Sequence, residues 1–257
     1  MNMQYTSYHS AQRPRSGTRS TYAAPENVQE VSLSGILGSR GGEPLQAKQL
    51  DLMLGRETVA DKRVFYSGDL ANITSPAVAI VGTRHVSSLG AARARRLARA
   101  LAKANVAVVS GLAEGVDTEA LTEAIAAGGR VAAVIGTPIN KAYPAKNAAL
   151  QETIYREHLL LSQFKVGERT YPSNFPERNR LMTAVTDATV VIEASDSSGT
   201  LHQSAECQRL GRWLFIAKSL VDDPNLSWPR KFRSYEKCIV LENVEDVLSR
   251  VLVGCLA

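Results

Sequence analysis

The sequence is poor in the features that mark secreted, zinc-binding and membrane proteins. Three cysteines, Cys207, Cys238 and Cys255, are scattered over 257 residues without a Cys-x-x-Cys pair. A disulfide framework and a zinc site are therefore disfavoured, and a reducing cytoplasm is expected. No apolar run approaches the roughly 20 residues of a membrane span, and residues 1–21 lack the apolar core of a secretory signal. We predict a cytoplasmic protein with no membrane partner and no bound metal.

Common nucleotide-binding and hydrolase motifs are also missing. The turn after Val81 reads Gly-Thr-Arg-His-Val-Ser-Ser-Leu-Gly, which is not the G-x-G-x-x-G fingerprint of NAD-binding domains. There is no G-x-x-x-x-G-K-[ST] loop for a nucleoside triphosphate, and no G-x-S-x-G nucleophile elbow accompanies the four histidines. The sequence thus predicts no cofactor and no catalytic residue.

What the chain does contain is an alternation of buried-strand and helix patterns. Residues 77–81 form an apolar run typical of a strand buried on both faces, and a glycine turn and a helix from Leu89 follow it. The same alternation predicts further strands at 106–109, 131–135, 159–161, 188–192, 213–217 and 238–241. This pattern is typical of an α/β protein with a doubly wound, mostly parallel sheet.

The first 46 residues differ from the rest in composition. They are rich in Ser, Arg, Gly, Pro and Gln, and up to Ala24 they contain Arg13, Arg15 and Arg19 but no acidic residue. We predict a basic arm at 1–46, disordered or ordered by a partner, followed by a single domain at 47–257. The alternative is that the arm is an artefact of cloning or of the start site. A short helix at 44–57 and an edge strand at 64–66 are expected next to the arm.

Small residues follow four of the predicted strands: Gly82, Ser110-Gly111, Gly136-Thr137 and Ser198-Gly199-Thr200. Since parallel strands end at one edge of a sheet, these turns would line a shared groove whose bare backbone N–H groups suit a phosphate. Arg84 would place a cation at its mouth. The net charge of +5 favours a polyanionic partner only weakly, because many basic proteins simply carry solvated lysines.

Four basic residues are candidates for phosphate contacts: Arg84, Lys146, Arg178 and Arg180. Arg178 and Arg180 are two positions apart in a predicted helix and cannot both project from one face. We expect one of them to contact the ligand and the other to pair within the fold, with Glu193 or Asp117. For each arginine, a purely structural ion pair is an equal alternative.

The helix after Gly82 carries a second basic cluster, and an aromatic residue lies near the predicted groove. The cluster is expected to be a solvated face, with nucleic-acid contact as the alternative. Its members are Arg93, Arg95, Arg96, Arg99 and Lys103. Tyr143 is a candidate for stacking on a base.

Five motifs, in this order, resemble those of the DNA-processing protein A family (DprA, also called Smf). Residues 79–84 are similar to its AIVGSR opening, and residues 110–117 to SGLARGID. Residues 136–147 resemble GTPLD with the following YP and N. Residues 175–180 resemble FPxRNR, and residues 193–200 resemble EA and SGSL. The matching stretch is residues 64–217.

This resemblance implies an extended Rossmann-like domain that binds single-stranded DNA, forms a homodimer and hands the strand to a RecA-type recombinase during natural transformation. It implies no catalysis. The nucleic-acid-binding residues implied by it and by the strand-end pattern are Gly82, Thr83, Arg84, Ser110, Gly111, Lys146, Asn147, Arg178, Asn179, Arg180, Ser198, Gly199 and Thr200.

The chain departs from the family in ways that leave alternatives open. Leu121 stands where the family often has His, and neither the usual preceding helical domain nor a C-terminal winged helix is recognisable. Plasmid maintenance or phage defence are therefore alternatives to transformation. A related group, the LOG-type nucleoside-monophosphate phosphoribohydrolases, needs a Glu directly after the glycine-threonine turn. Here Thr200 is followed by Leu-His-Gln, and the nearest acid is Glu206. A nucleotide-sensing domain with the same pocket is a third alternative.

Overall fold

A computed structural model of the chain describes residues 22–41, 45, 62–196 and 199–252. Within these residues a nine-stranded sheet has the order β1-β2-β6-β5-β4-β3-β7-β8-β9. The strands are β1 (Gln29–Ser32), β2 (Arg63–Gly68), β3 (Ala77–Val81), β4 (Ala107–Ser110), β5 (Val131–Ile135), β6 (Leu159–Ser162), β7 (Ala188–Val191), β8 (Trp213–Ala217) and β9 (Cys238–Leu241). All pairings among β3–β9 are parallel, whereas β2 is antiparallel to both β1 and β6. The predicted doubly wound, mostly parallel fold is confirmed.

Helices cover both faces of this sheet, which is why its central strands are continuous apolar runs. All five residues of β3 and of β5 are buried, as strands covered on both faces require. One face carries α2 (Ser88–Lys103), α3 (Val116–Ala126), α4 (Ala148–Glu157) and α8 (Glu245–Val251). The other carries α1 (Leu33–Arg40), α5 (Asn174–Ala184), α6 (Thr200–Leu210) and α7 (Lys218–Val221). None of the helices in the described ranges has the length and apolar character of a membrane span.

Part of the segment predicted as a basic arm is folded onto the sheet. Residues 29–40 form β1 and α1, and Leu33 and Ile36 of α1 are fully buried. The boundary at residue 46 is therefore wrong, and β2 is not an edge strand because β1 pairs with it. The rest of the arm at 1–21, and nearly all of the predicted helix at 44–57, lie outside the described residues.

A buried cluster of charged groups joins α1 to the end of the sheet at which β3 and β7 begin. Arg40 donates to both carboxylate oxygens of Asp187, at 3.2 and 2.8 Å. The Ser75 hydroxyl and the Ala77 backbone N–H also donate to Asp187, each at 2.9 Å. Burial alone raises the pKa of Asp187, but the positive charge of Arg40 and these hydrogen bonds outweigh it and hold the pKa below its ordinary value.

The chain order reverses at the centre of the sheet. From β3 the chain adds β4, β5 and β6 on one side and then returns to place β7 on the other side of β3. Loops from neighbouring strands diverge at such a reversal and open a crevice at the carboxyl ends of the strands. The candidate site should therefore lie above β3 and β7.

Candidate nucleic-acid interface

A cavity of about 360 Å³ occupies this position above β3 and β7. The loops after β3 and β7, the first turns of α5 and α6, and the loop before α3 all contribute to its wall. Its lining residues are Val81, Gly82, Thr83, Arg84, His85, Ala113, Asp117, Phe175, Arg178, Asn179, Met182, Ser195, Gly199, Thr200 and Gln203. We call this cavity the crevice. Seven of the predicted binding residues lie in it: Gly82, Thr83, Arg84, Arg178, Asn179, Gly199 and Thr200.

The turn after β3 is tightly packed against its neighbours. A Cβ atom at Gly82 would lie 2.5 Å from Val116 Cγ2 and 2.8 Å from the Glu193 carbonyl oxygen. The Thr83 N–H donates to that same carbonyl at 2.6 Å. Glycine is thus needed at position 82 because α3 and the end of β7 approach so closely.

Arg84 is the cation of this turn that is available to a ligand. It is exposed, and no carboxylate pairs with it in the described part of the chain. Its guanidinium carbon lies 5.9 Å from the centroid of the Phe175 ring. Because guanidinium groups bind phosphate oxygens through paired N–H donors, Arg84 can bind one phosphate at the mouth of the crevice.

Arg178, by contrast, is buried and built into the crevice wall. Its Nη1 donates to the carbonyl oxygens of Gly111 and Val134, the latter at 2.8 Å, and its Nε donates to Asn179 at 2.9 Å. A Cβ atom at Gly111 would lie 1.8 Å from Arg178 Nη1, so this position also requires glycine. Arg178 is therefore held in place by these bonds and adds a buried positive charge to the wall of the crevice.

A buried carboxylate beside Arg178 balances only part of the positive charge. Asp117 accepts from the backbone N–H of Gly111 at 3.0 Å and of Ala113 at 3.3 Å. Burial raises the pKa of Asp117 although the charge of Arg178 opposes the rise. Burial also disfavours the charged form of Arg178 and so lowers its pKa. The negative charge of Asp117 opposes this decrease, and the positive charge of Arg84 adds to it. Two guanidinium groups and one carboxylate leave the crevice suited to an anion.

Neither predicted pairing of an arginine with Asp117 or Glu193 is seen as an ion pair in the described structure. Asp117 and Arg178 are close enough for their charges to interact, but no hydrogen bond or ion pair joins their side chains. Glu193 pairs with neither arginine, since it accepts from the Ser87 hydroxyl at 2.8 Å at the start of α2. Arg180 lies outside the crevice lining and pairs with Glu206 of α6 at 3.4 Å.

Some predicted contacts lie in the interior, so their assignment to nucleic acid is corrected. Ser110 is fully buried and donates to the Ile80 carbonyl at 2.6 Å. Asn147 is also buried, and its amide donates to Leu112 at 3.0 Å and to Thr118 at 2.9 Å. Both side chains hold the loop after β4 in place and have no free surface for a strand.

Two predicted residues remain, Lys146 and Ser198. Lys146 is exposed and pairs with Glu114 at the rim. Its charge is therefore partly neutralised before any ligand arrives. Ser198 lies outside the described residues.

A larger groove of about 970 Å³ adjoins the crevice and shares Arg84 and Phe175 with it. Four aromatic and two basic residues line it, and no carboxylate is among the described lining residues: Tyr22, Arg84, Thr137, Asn140, Lys141, Ala142, Tyr143, Ala145, Thr170, Tyr171, Pro172 and Phe175. We call it the aromatic groove. Tyr143 and Tyr171 are about half exposed, and the rings of Tyr143 and Phe175 lie 5.5 Å apart. Exposed rings beside a cation are the arrangement on which unpaired bases stack.

Several of these groove residues were not predicted. Tyr171 and Phe175 lie on either side of the start of α5. The sequence signal that could have identified them is the spacing of four residues between two aromatic side chains. The buried atoms Asn140 Oδ1 and Thr170 Oγ1 in the groove, and Gln203 Oε1 in the crevice, have no hydrogen-bond partner among the described residues. Since buried polar atoms are nearly always paired, these three can bond to a ligand.

The described residues that could serve as metal ligands or as an acid for glycosidic cleavage do not gather in the crevice. In the described ranges no three side chains of His, Cys, Asp or Glu lie together as metal ligands would. Glu206, the nearest acid after Thr200, is engaged by Arg180 and Arg209 on the flank of α6. It does not line the crevice, so it cannot reach a leaving group there.

Fold and site together define an extended Rossmann-like protein with an arginine-lined crevice at its topological switch point. A model of the DNA recombination-mediator protein A family matches residues 51–251. The chain belongs to this family.

Comparisons with individual proteins agree with this assignment. The chain is 38% identical to the DNA processing protein DprA of Streptococcus pneumoniae over 160 residues. This aligned stretch covers 62% of this chain. Its structure is similar to the X-ray structure of that DprA, with a TM-score of 0.68, 30% identity, and coverage of 85% of this chain and 76% of that one. DNA processing protein A from Helicobacter pylori, described for its single-stranded DNA binding mode, matches with a TM-score of 0.68 over 83% of this chain and 95% of its own. At 24% identity it supports the fold alone.

The chain spans about half the length of the curated relatives it matches. The share is 56% for the pneumococcal protein and 41% for Protein Smf of Synechocystis sp..

Proposed function

We propose that this protein binds single-stranded DNA along the crevice and the aromatic groove, without catalysis. The observation that carries the proposal is the position of Arg84, a cation with no carboxylate partner among the described residues that borders both cavities. Each nucleotide of a single strand carries one phosphate and one base. A cationic site directly beside an aromatic site can therefore contact both.

The phosphate would lie at the mouth of the crevice. Arg84 donates to its oxygens there, and the buried charge of Arg178 strengthens the attraction from below. The crevice volume of about 360 Å³ is that of a site for one small ligand. Contact with the sugar–phosphate backbone accounts for affinity and not for base sequence.

The bases would stack in the aromatic groove. The rings of Tyr143, Tyr171 and Phe175 line the groove. Every base has a ring face that can stack on such side chains, whatever the sequence of the strand. Bases in a duplex are already stacked and paired, so the groove favours single strands. The Helicobacter pylori relative is described for its single-stranded DNA binding mode, which supports a single strand as the ligand.

The larger role we propose is recombination mediation in the cytoplasm, with transfer of the strand to a RecA-type recombinase during DNA uptake. Membership of the recombination-mediator family supports this role. Cys207 and Cys238, the cysteines in the described ranges, are free thiols, as in a reducing compartment. One groove holds few nucleotides, so a homodimer would provide a longer track.

A mononucleotide ligand is the second candidate function. It is favoured by Gln203, which is 1% exposed and whose Oε1 has no partner in the described structure of the crevice. A phosphodiester linkage within a strand has no hydrogen-bond donor for this oxygen, whereas the free sugar hydroxyl of a mononucleotide does.

Binding measurements with matched ligands test the proposal and separate the two functions. Fluorescence anisotropy would compare a labelled oligothymidylate of about 20 nucleotides, the same length of duplex, and AMP and dAMP as competitors, over a salt series. We expect tight, salt-dependent binding of the single strand and weak competition by monophosphates. Tight binding of a monophosphate without strand binding would contradict the proposal, and release of free base would show an enzyme instead.

A further inference from the structure

We propose that a second cleft, at the carboxyl ends of β8 and β9, binds a nucleotide by holding its phosphate between Arg93 and Arg96. This cleft has a volume of about 570 Å³ and shares no described lining residue with the crevice or the aromatic groove. The helix α2 contributes Arg93 and Arg96 to its lining, and the segments after β8 and β9 contribute Asp222 and Glu242. We call it the second cleft.

The second cleft opens at the same edge of the sheet as the crevice. Ala217 and Leu241, which line the cleft, are the last residues of β8 and β9, and both strands run parallel to β7 and β3. Neighbouring strands lie about 4.8 Å apart, so the ends of β3 and β8 are separated by about 10 Å across the sheet. A ligand at this edge therefore binds where ligands of parallel sheets bind, outside the carboxyl ends of the strands.

Part of the basic cluster on α2 is neutralised by the neighbouring helix. Arg95 pairs with Glu119, and Arg99 pairs with Glu123 at 2.7 Å, both on α3. Neither of these arginines lines the second cleft, the crevice or the groove. Their role is to join α2 to α3 at the surface.

Arg93 and Arg96 form a separate pair that lines the second cleft. They are three positions apart and so lie on one face of α2. Among the described residues, no carboxylate pairs with either of them. Arg93 donates one hydrogen bond, to the Ser219 hydroxyl at 2.8 Å. Because each guanidinium carries five N–H donors, the pair has enough free donors for the oxygens of one phosphate.

The other lining residues suit the base of a nucleotide. Leu97 and Ile192 give the cleft an apolar surface on which a ring can pack. Glu242 is engaged by Lys218 at 2.8 Å, which leaves the exposed carboxylate of Asp222 as an acceptor. Adenine, guanine and cytosine carry an amino group that can donate to a carboxylate, whereas thymine has none. The cleft should therefore prefer a base with an amino group.

The mixed charge of the cleft also disfavours other anions. An acidic peptide would bring further negative charge beside Asp222 and Glu242. A nucleotide brings its phosphate to the arginines and an uncharged base to the carboxylate. The volume of about 570 Å³ lies within the range of small-ligand sites. The nucleotide has the same chemistry whether it is free or is one segment of a single strand, so the experiment has to distinguish these two sources.

The test compares two double variants of the full chain. Arg93→Gln, Arg96→Gln removes the donors of the cleft. Arg95→Gln, Arg99→Gln is the matched control, since it removes two charges from the same helix at residues that line none of the three cavities. Each protein is titrated with deoxycytidine monophosphate by calorimetry, and with a labelled oligodeoxycytidylate of about 20 nucleotides by anisotropy over a salt series.

We expect the cleft variant to bind its ligand about tenfold or more weakly than the control variant does. A loss for the monophosphate alone would identify a free nucleotide as the ligand. A loss for the oligonucleotide, with a slope of log K against log salt that is shallower by about 0.7, would identify a segment of the strand. The control variant should bind both ligands within about twofold of the unsubstituted protein.

A third variant tests the base. The unsubstituted protein should bind the cytosine form of the ligand several times more tightly than the thymine form. Asp222→Ala removes the acceptor, so this ratio should fall to about one. The ratio is the useful measurement because the loss of one negative charge changes the affinity for both forms equally.

Three outcomes would overturn the proposal. The first is that the unsubstituted protein binds neither ligand. The second is that the cleft variant binds both ligands as the control variant does, and the third is a cytosine-to-thymine ratio that Asp222→Ala leaves unchanged. The proposed function is tested separately through Arg84, which does not line the second cleft, so either proposal can fail without the other.

Discussion

The Arg84 guanidinium lies 5.9 Å from the centre of the Phe175 ring, and this pair forms the boundary between the crevice and the aromatic groove. Arg84 comes from the turn after β3, whereas Phe175 comes from the first turn of α5. The two residues are brought together because β3 is central and the loop before α5 returns over the strand ends. A strand that places a phosphate on Arg84 must therefore pass its neighbouring base along Phe175.

Replacing Gly111 tests the buried part of the crevice. In Gly111→Ala the new Cβ would overlap Arg178, so the guanidinium must leave its two carbonyl partners. We expect a loss of about 2–4 kcal/mol in the free energy of unfolding, from steric overlap and broken charged hydrogen bonds. Urea denaturation measures this loss. The control Gly38→Ala adds a Cβ in α1 that meets nothing within 4 Å and should change stability by no more than about 1 kcal/mol. Equal effects of the two substitutions would contradict the packing described for Arg178.

Asp187 provides a test of stability against pH. Asp187→Asn leaves the buried Arg40 without its charge partner and should cost about 3–5 kcal/mol at pH 7. Because the pKa of Asp187 is lowered in the folded state, its contribution is fully present above its ordinary value of 3.8 and is lost as the pH falls through the lowered pKa.

The difference between the two proteins should thus be constant from about pH 7 to pH 5 and shrink toward pH 2. Urea denaturation over this range measures it, with the exposed Glu236→Gln as a control that should change stability by less than about 0.5 kcal/mol. A difference that does not change with pH would show that Asp187 acts through shape and not through its charge.

Tyr171 tests base stacking in the aromatic groove. Its ring is 53% exposed and is flanked by the Arg169 guanidinium at 5.7 Å from the ring centroid. Tyr171→Ala should weaken single-strand binding by about 1–3 kcal/mol, which is the range for one stacked base. Tyr171→Phe keeps the ring and should bind as the unsubstituted protein does. If the phenylalanine variant is as weak as the alanine variant, the hydroxyl rather than the ring makes the contact.

Much of the fold could be predicted because its central strands are uninterrupted apolar runs with glycine turns behind them. The predicted limits of β5, β8 and β9 coincide with the observed ones, and β4 differs by one residue at each end. Strand β1 and helix α1 were missed because three of the four residues of Gln29–Ser32 are polar and α1 places only a few large apolar side chains on the core. Such an edge forms through its partner β2, which is distant in sequence.

The sequence indicated which residues lie together, but not which way each side chain points. The motifs after the strands include seven residues that line the crevice, because parallel strands end at one edge of the sheet. The inward direction of the Ser110 and Asn147 side chains depends on which carbonyl groups lie opposite them, namely those of Ile80 and Leu112. These partners are 30 and 35 residues away, so spacing alone could not show them.

The salt dependence of single-strand binding by Arg84→Ala, beside Arg233→Ala, tests the central claim most directly. Arg233 is an exposed arginine that lines neither the crevice nor the groove, so it controls for the loss of one positive charge. We expect Arg84→Ala to weaken binding at all sequences by about tenfold or more and to make the slope shallower by about 0.7, while Arg233→Ala changes neither. Binding by Arg84→Ala with unchanged affinity and slope would contradict a phosphate at the mouth of the crevice.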